Sequence, residues 1–200
     1  MEAIRSFIAI HLPEEIRVQL ERIITQLKAG CPSASVRWVQ SQNIHLTLKF
    51  LGDISPKNLK ILTDLLESET AKHTIFEFNV SQLGAFPNPQ RPSVIWVGVE
   101  SNDALLHLQH RIDVETQRLG YASEARKFSP HLTLGRISRS ASTADIRQIA
   151  ETLAAVKIGS LGKVRAEKVH LFRSDLKPGG AVYTPLYVAP LSSGEYLQTR

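Results

Sequence analysis

His45-Leu46-Thr47-Leu48 recurs as His131-Leu132-Thr133-Leu134, 86 residues further along the chain. The flanks keep the same register. Phe7 lies 38 residues before the first tetrad and Ser93 lies 38 before the second, each near the start of an apolar run of strand length. Phe78 and Val164 each follow their tetrad by 33 residues, inside another such run. Four shared residues alone are a weak signal. The same four inside the same order of elements read as an internal duplication.

The first copy begins with an apolar run over residues 5–12. Pro13-Glu14-Glu15 then opens a helix, because proline suits the first turn and acids there complement the helix dipole. Ile16, Leu20, Ile23, Ile24 and Leu27 mark its buried face, and Gly30 lies just past its end. Strands are expected over 36–39, 43–50 and 76–83, with a second helix starting at Ser55-Pro56 and burying Leu59, Leu62, Leu65 and Leu66. The second copy repeats this with strands over 94–99, 131–137 and 163–172. Its helices start at Asp103, carrying Leu105, Leu106, Leu108, Ile112 and Leu119 up to Gly120, and at Thr143, carrying Ile146, Ile149 and Leu153. Pro178-Gly179-Gly180 is expected to turn the chain into a last strand over 181–188. The fold class is therefore α+β. It has two pseudo-symmetric lobes, about 1–90 and 91–200, each an antiparallel sheet backed by helices, with a cleft between them in one bilobal domain of 200 residues.

Composition excludes several classes. With 42% hydrophobic and 22% charged residues the chain is neither disordered, collagenous nor a coiled coil. No apolar stretch approaches the ~18 residues of a membrane helix, and the opening residues have no secretory pattern, so neither membrane nor export is expected. The single cysteine, Cys31, forms no internal disulfide and no cysteine metal cluster, and it has no reactive signature; a reducing, cytoplasmic setting is the simple expectation. Twenty-four Lys plus Arg against nineteen Asp plus Glu give a net charge of +5, which favours an anionic partner, although no run of like charges marks a nucleic-acid arm.

Side chains alternate along a strand, so His45, Thr47 and Lys49 fall on one face while Leu46 and Leu48, continued by Ile44 and Phe50, fall on the buried one. One such strand alone reads as ordinary sheet. Two of them in a duplicated frame offer two imidazoles and two hydroxyls to one cleft. That set suits phosphoryl transfer: one imidazole deprotonates water, an imidazolium protonates the leaving oxygen, and the hydroxyls hold the non-bridging oxygens. No metal or other cofactor is required by that chemistry.

These motifs resemble the two-histidine phosphoesterase superfamily, whose signature is a His-x-Thr-x motif in each lobe. The chain is most similar to its RNA 2′,3′-cyclic phosphodiesterases, also called 2′-5′ RNA ligases. The likeness runs through residues 5–10, 43–52 and 128–136, then 171–174 with Tyr183 and Leu186. It implies hydrolysis of a terminal RNA 2′,3′-cyclic phosphate to a 2′-phosphomonoester, with reversible 2′-5′ joining as a second activity. It implies His45 as the general acid and His131 as the general base, with RNA bearing cyclic-phosphate ends (tRNA-like fragments among them) as partner. No obligate protein partner is evident. Another cyclic or 2′-5′-linked nucleotide, or mere binding of phosphorylated RNA ends, remain alternatives.

Four further residues are candidates for substrate contact. Lys49 shares the face of His45; Arg136 reaches the cleft only if its strand ends or bulges; Phe7 and Tyr183, with Phe128, are placed either to stack on a base or to pack in the core. His107 and His110 stand three apart on a helix as surface residues, and His11, His73 and His170 have no partner in sequence. No phosphate-binding Gly-Lys-Ser/Thr loop, dinucleotide fingerprint, His-Glu-x-x-His or ligase Lys-x-Asp-Gly stretch is present, so any joining activity would draw on the cyclic phosphate and not on ATP.

Overall fold

The structure is a computed structural model that describes residues 3–124, 126–177 and 180–194. Among these residues, four α-helices form where the periodicity places them. α1 (Glu14–Gly30) follows Pro13 and buries Ile16, Leu20, Ile23, Ile24 and Leu27. α2 (Leu59–Thr70) is preceded by a short 3-10 turn, Pro56–Asn58, whose first N–H groups include Lys57 donating to the Ser55 hydroxyl. Asn102 caps α3 (Asp103–Arg118) by accepting from the Leu105 N–H. Ser142 and Asp145 close a reciprocal capping box at the start of α4 (Thr143–Ala155).

Among the described residues, nine strands make two antiparallel sheets: β1 (Ile4–His11), β2 (Val36–Trp38), β3 (His45–Ile54), β4 (Phe76–Phe86), β5 (Val94–Val99), β6 (His131–Ile137), β7 (Gly162–Ala166), β8 (Lys168–Lys177) and β9 (Gly180–Pro190). The first sheet runs β3-β1-β8-β9 and the second β2-β6-β5-β4-β7. The tetrads sit on β3 and β6, which occupy matching places beside β1 and β5. The expected α+β pair of lobes is present, but the sequence halves interlock. β4 of the first half pairs with β5 in the second sheet, and β8 of the second half pairs with β1 in the first.

This exchange corrects one expectation. Residues 163–172 are not one strand: β7 zips onto β4, the chain steps between sheets at Glu167, and β8 zips onto β1. Pro178 and Gly179 of the expected turn lie outside the described residues; Lys177 and Gly180 on either side pair as the ends of β8 and β9.

One apolar core runs continuously beneath both sheets, from Ile8, Leu46 and Leu48 through Leu66, Leu105 and Ile112 to Val97, Leu132 and Ile149. A second cluster, Phe7, Ala9 and Phe172 with Tyr183 against it, lies on the other face of the first sheet.

Strict alternation fails at the same place in both tetrad strands. Ala9 pairs with Thr47 and Ile8 with Lys49, leaving Leu48 without a partner; Trp96 pairs with Thr133 and Ile95 with Gly135, leaving Leu134 without one. An extra residue reverses the facing of the residues that follow it, until on β3 a second one, Leu51, switches it back. Lys49 therefore turns into the core at 1% exposure, and Phe50, expected inside, is 57% exposed on the face of His45. On β6 the same device turns Gly135 inward and Arg136 outward.

Lys49 is thus no phosphate ligand. Its ammonium pairs with Asp113 of α3 and donates to the Ala122 carbonyl, tying β3 of the first half to a helix of the second. Burial pushes the Asp113 carboxyl up, but bonds from Lys49 and Ser123 and the Lys49 charge hold it below its usual value. Removing one member of a buried pair strands the other, at a cost of about 3–5 kcal/mol. Asp113→Ala should cost about that much in urea unfolding. Lys49→Met should cost less, because Asp113 lies at the edge and keeps Ser123. Adding Lys49→Met to Asp113→Ala should recover stability; a double variant weaker than Asp113→Ala would show that the pair is not the tie.

Candidate active site

Each tetrad histidine is fixed by the backbone just before it. His45 Nδ1 lies 2.8 Å from the carbonyl oxygen of Asn43, and His131 Nδ1 lies 2.7 Å from that of Ser129. A carbonyl only accepts, so Nδ1 carries the proton in both rings and Nε2 keeps the free lone pair. The approach to each strand is built for this. Asn43 ends the 3-10 turn Ser41–Asn43, and its side-chain amide donates to the Ala181 carbonyl at 2.7 Å, pinning it to β9. Before His131 stands Pro130, which keeps Ser129 out of helical conformation, while the Pro130 carbonyl accepts from Val99 N–H.

Aromatic rings hold the imidazoles from behind. His45 lies over Phe7, stacked at 4.5 Å, with the edge of Tyr183 at 5.2 Å. Phe7 in turn stacks on Phe172 at 5.3 Å. His131 meets Phe86 edge-on at 4.9 Å, and Phe86 leans on Trp96, which lies over Gly84, where a Cβ would come within 2.3 Å of the indole. Phe7, buried at 3% exposure, is therefore a support under His45 and does not face a ligand. Tyr183 is half-buried at the cleft wall. Phe128 packs against the core.

Arg136 links the two lobes electrically. Its charge helps to lower the pKa of His131 on its own strand and that of Tyr183 in the other sheet, where Arg5 acts as well. Burial is the larger influence on both, pushing His131 down and Tyr183 up. Burial also carries His45 down to about 4, against the pull of the Asn43 carbonyl and with help from His11. Both tetrad imidazoles are thus neutral at pH 7. Thr47 and Thr133 stand two residues on, half-buried, on the same faces.

A cleft of about 340 Å³ opens beside His45. Two of its walls are His11 and His170, which the sequence leaves without partners; their rings stand 5.9 Å apart. His11 shares the parity of Phe7 on β1, a signal that alternation alone supplies. His170 carries no such signal until β8 is known to lie beside β1. His73 and His107 meet elsewhere, at 5.0 Å, where α2 ends against α3.

The two halves of the chain each match a known family. Residues 10–96, and again residues 97–183, match the family described as LigT-like phosphoesterase. The chain belongs to this phosphoesterase family. The RNA 2′,3′-cyclic phosphodiesterase of Methanothermobacter thermautotrophicus is 34% identical over 185 residues, 92% of this chain and 97% of that protein. That of Thermotoga maritima is 30% identical over 190 residues, 95% of this chain and 97% of its own. TT0787 of Thermus thermophilus superposes with a TM-score of 0.78 at 28% identity, covering 96% of this chain and all of that one. Escherichia coli LigT complexed with 3′-AMP does so at 0.75 and 28%, covering 96% and 99%. The present phosphoesterase is accordingly an enzyme, a phosphodiesterase.

Holding His45 neutral links the phosphoesterase's stability to pH. In the unfolded chain an imidazole takes its proton near pH 6.5; in the folded one His45 takes it only at about 4. Stability is then full above pH 6.5 and falls as pH drops toward 4, with His45 contributing up to about 3 kcal/mol of the loss. Urea unfolding from pH 7.5 to 4 should show wild type losing more stability than His45→Gln. Parallel losses in both would place the acid sensitivity elsewhere.

Proposed function

We propose that this enzyme hydrolyses a terminal 2′,3′-cyclic phosphate on RNA to a 2′-phosphomonoester, using His131 as base and His45 as acid. The observation that carries this reading is the matched pair of imidazoles, each with Nδ1 tied to a carbonyl and Nε2 free. His131 Nε2 takes a proton from water, whose oxygen attacks phosphorus. The bond from phosphorus to O3′ breaks, and O3′ takes a proton from the His45 imidazolium. Thr47 and Thr133 hydroxyls donate to the non-bridging oxygens, and the Arg136 guanidinium balances their charge. The names of the relatives support an RNA substrate, and the net charge of +5 suits it. With an RNA 5′-hydroxyl in place of water, the same groups join ends without ATP: His131 takes the hydroxyl proton, the 5′ oxygen bonds to phosphorus, and the bond to O3′ breaks as O3′ is protonated by His45, leaving a 2′-5′ linkage. Cys31, buried and alone, fits a reducing cytoplasm.

His45→Ala and His131→Ala should each lower kcat by about 10²–10⁴-fold on a cyclic-phosphate oligonucleotide. Near-wild-type turnover by either variant would remove that residue from the mechanism. Hydrolysis should persist in EDTA, since the two imidazoles supply both proton transfers; strict dependence on an added divalent ion would overturn the scheme.

The pH profile has a predicted position. The profile of kcat/KM reports the free enzyme, in which burial lowers both imidazoles, so its bell should peak below pH 6.5. A bound phosphate favours imidazolium, so the kcat bell should sit at higher pH. Coincident profiles would mean that the anion does not reach the histidines.

A further inference from the structure

Most arginines on the strands have an acid to answer them. Arg165 of β7 donates to Glu167 at 2.9 Å and Arg173 of β8 to Asp175 at 2.8 Å, each acid two residues on. Arg5 of β1 has Asp53 opposite it in the ladder. Arg37 of β2 and Arg136 of β6 break this pattern. Two residues beyond them stand Val39 and Ser138, and two residues before them Ser35 and Leu134. Among the described residues neither makes an ion pair.

The register sets these two cations against each other. Arg37 is the cross-strand partner of Arg136, on the strand at the edge of the second sheet. Val36 and Trp38 crowd Gly135 on the core side, so Arg37 and Arg136 rise together on the opposite face, toward the cleft. Both are exposed. The neighbour of Arg136 on its other side is Val94, which is apolar. Like charges directly opposite each other weaken a sheet. An anion from outside the fold removes that penalty, and two planar guanidinium forks suit phosphate oxygens. Arg136 already acts on His131 and Tyr183, at the reacting centre. Arg37 stands one strand further out, where a second anion fits beside the first. On an RNA end closed by a cyclic phosphate, the next anion is the phosphodiester on the 5′ side of the terminal nucleoside.

We propose that Arg37, with Arg136 beside it, binds the phosphodiester that joins the terminal nucleotide to the one before it. The inference rests on the hydrolysis proposed above and narrows its substrate class to chains of two nucleotides or more. It makes Arg37 a determinant of KM, while the reacting atoms stay with the tetrads.

Three substrates isolate that charge: adenosine 2′,3′-cyclic phosphate, an adenosine dinucleotide ending in the same cyclic phosphate, and that dinucleotide with an uncharged methylphosphonate linkage. Wild type should show a KM about tenfold or more lower for the charged dinucleotide than for its uncharged counterpart, the scale of one charge-assisted hydrogen bond. Arg37→Gln should bring the charged dinucleotide to the KM of the methylphosphonate, while the mononucleotide KM and all kcat values change far less. Urea unfolding should find Arg37→Gln no less stable than wild type, because it relieves a like-charge pair. Equal KM values for the two dinucleotides in wild type would overturn the phosphodiester site and leave the hydrolysis standing. So would an Arg37→Gln variant that weakens all three substrates alike or that loses stability. Turnover of none of the three by wild type would sink the hydrolysis as well.

Discussion

Leu48 and Leu134, each without a partner across its ladder, decide what the two lobes present to one another. Upstream of the bulge, both strands place histidine and threonine on the cleft face. Downstream, the bulge exchanges the faces, so that a long cation is taken into the core in one lobe and thrown into the cleft in the other. Without it Arg136 would point at the helices, a buried charge with no partner, and Lys49 would compete with the imidazoles for anions. Because the duplication carries the bulge at equivalent positions, the two strands share a backbone and differ in the pair of residues just past it: Lys49-Phe50 in one, Gly135-Arg136 in the other. The asymmetry of the cleft is written in those two dipeptides.

Electrostatically the cleft suits an anion. Desolvation keeps both tetrad histidines neutral, while Arg136 and Arg5 stand near Tyr183. An arriving phosphate reverses this balance, because its charge favours protonation of the imidazole nearest it. In the proposed mechanism, the acid is then generated by the substrate in place. Phe7 and Phe86 matter for the same reason: they exclude water behind the rings, which makes the neutral form the resting one.

Much of this is legible in the chain itself. The tetrads, their spacing and the strand alternation around them are local patterns, and local patterns survive folding; the four helices and the histidine faces follow from them. The facing of Lys49 and Phe50 does not. A bulge is set by how two strands meet, and nothing in Leu48-Lys49 marks it; Gly135 in the second copy is the one hint, since a side chain there would crowd Val36 and Trp38. Glu167 looks like any strand residue, yet it is where the chain changes sheets. His11 and His170 gain meaning only because β1 and β8 are neighbours, which no pattern within either strand announces.

The strand exchange also bears on how the molecule comes into being. Phe7 leaves the ribosome long before its partner Phe172. Until β8 emerges, β1 has an open edge and the floor beneath His45 is half laid. Pairings so distant in sequence are slow to form and leave strand edges exposed meanwhile. The first half cannot complete its own sheet; β8 from the second half closes that edge. A nascent chain thus reaches a working cleft only once β8 has been made, and no product cut short of that strand carries half of the activity.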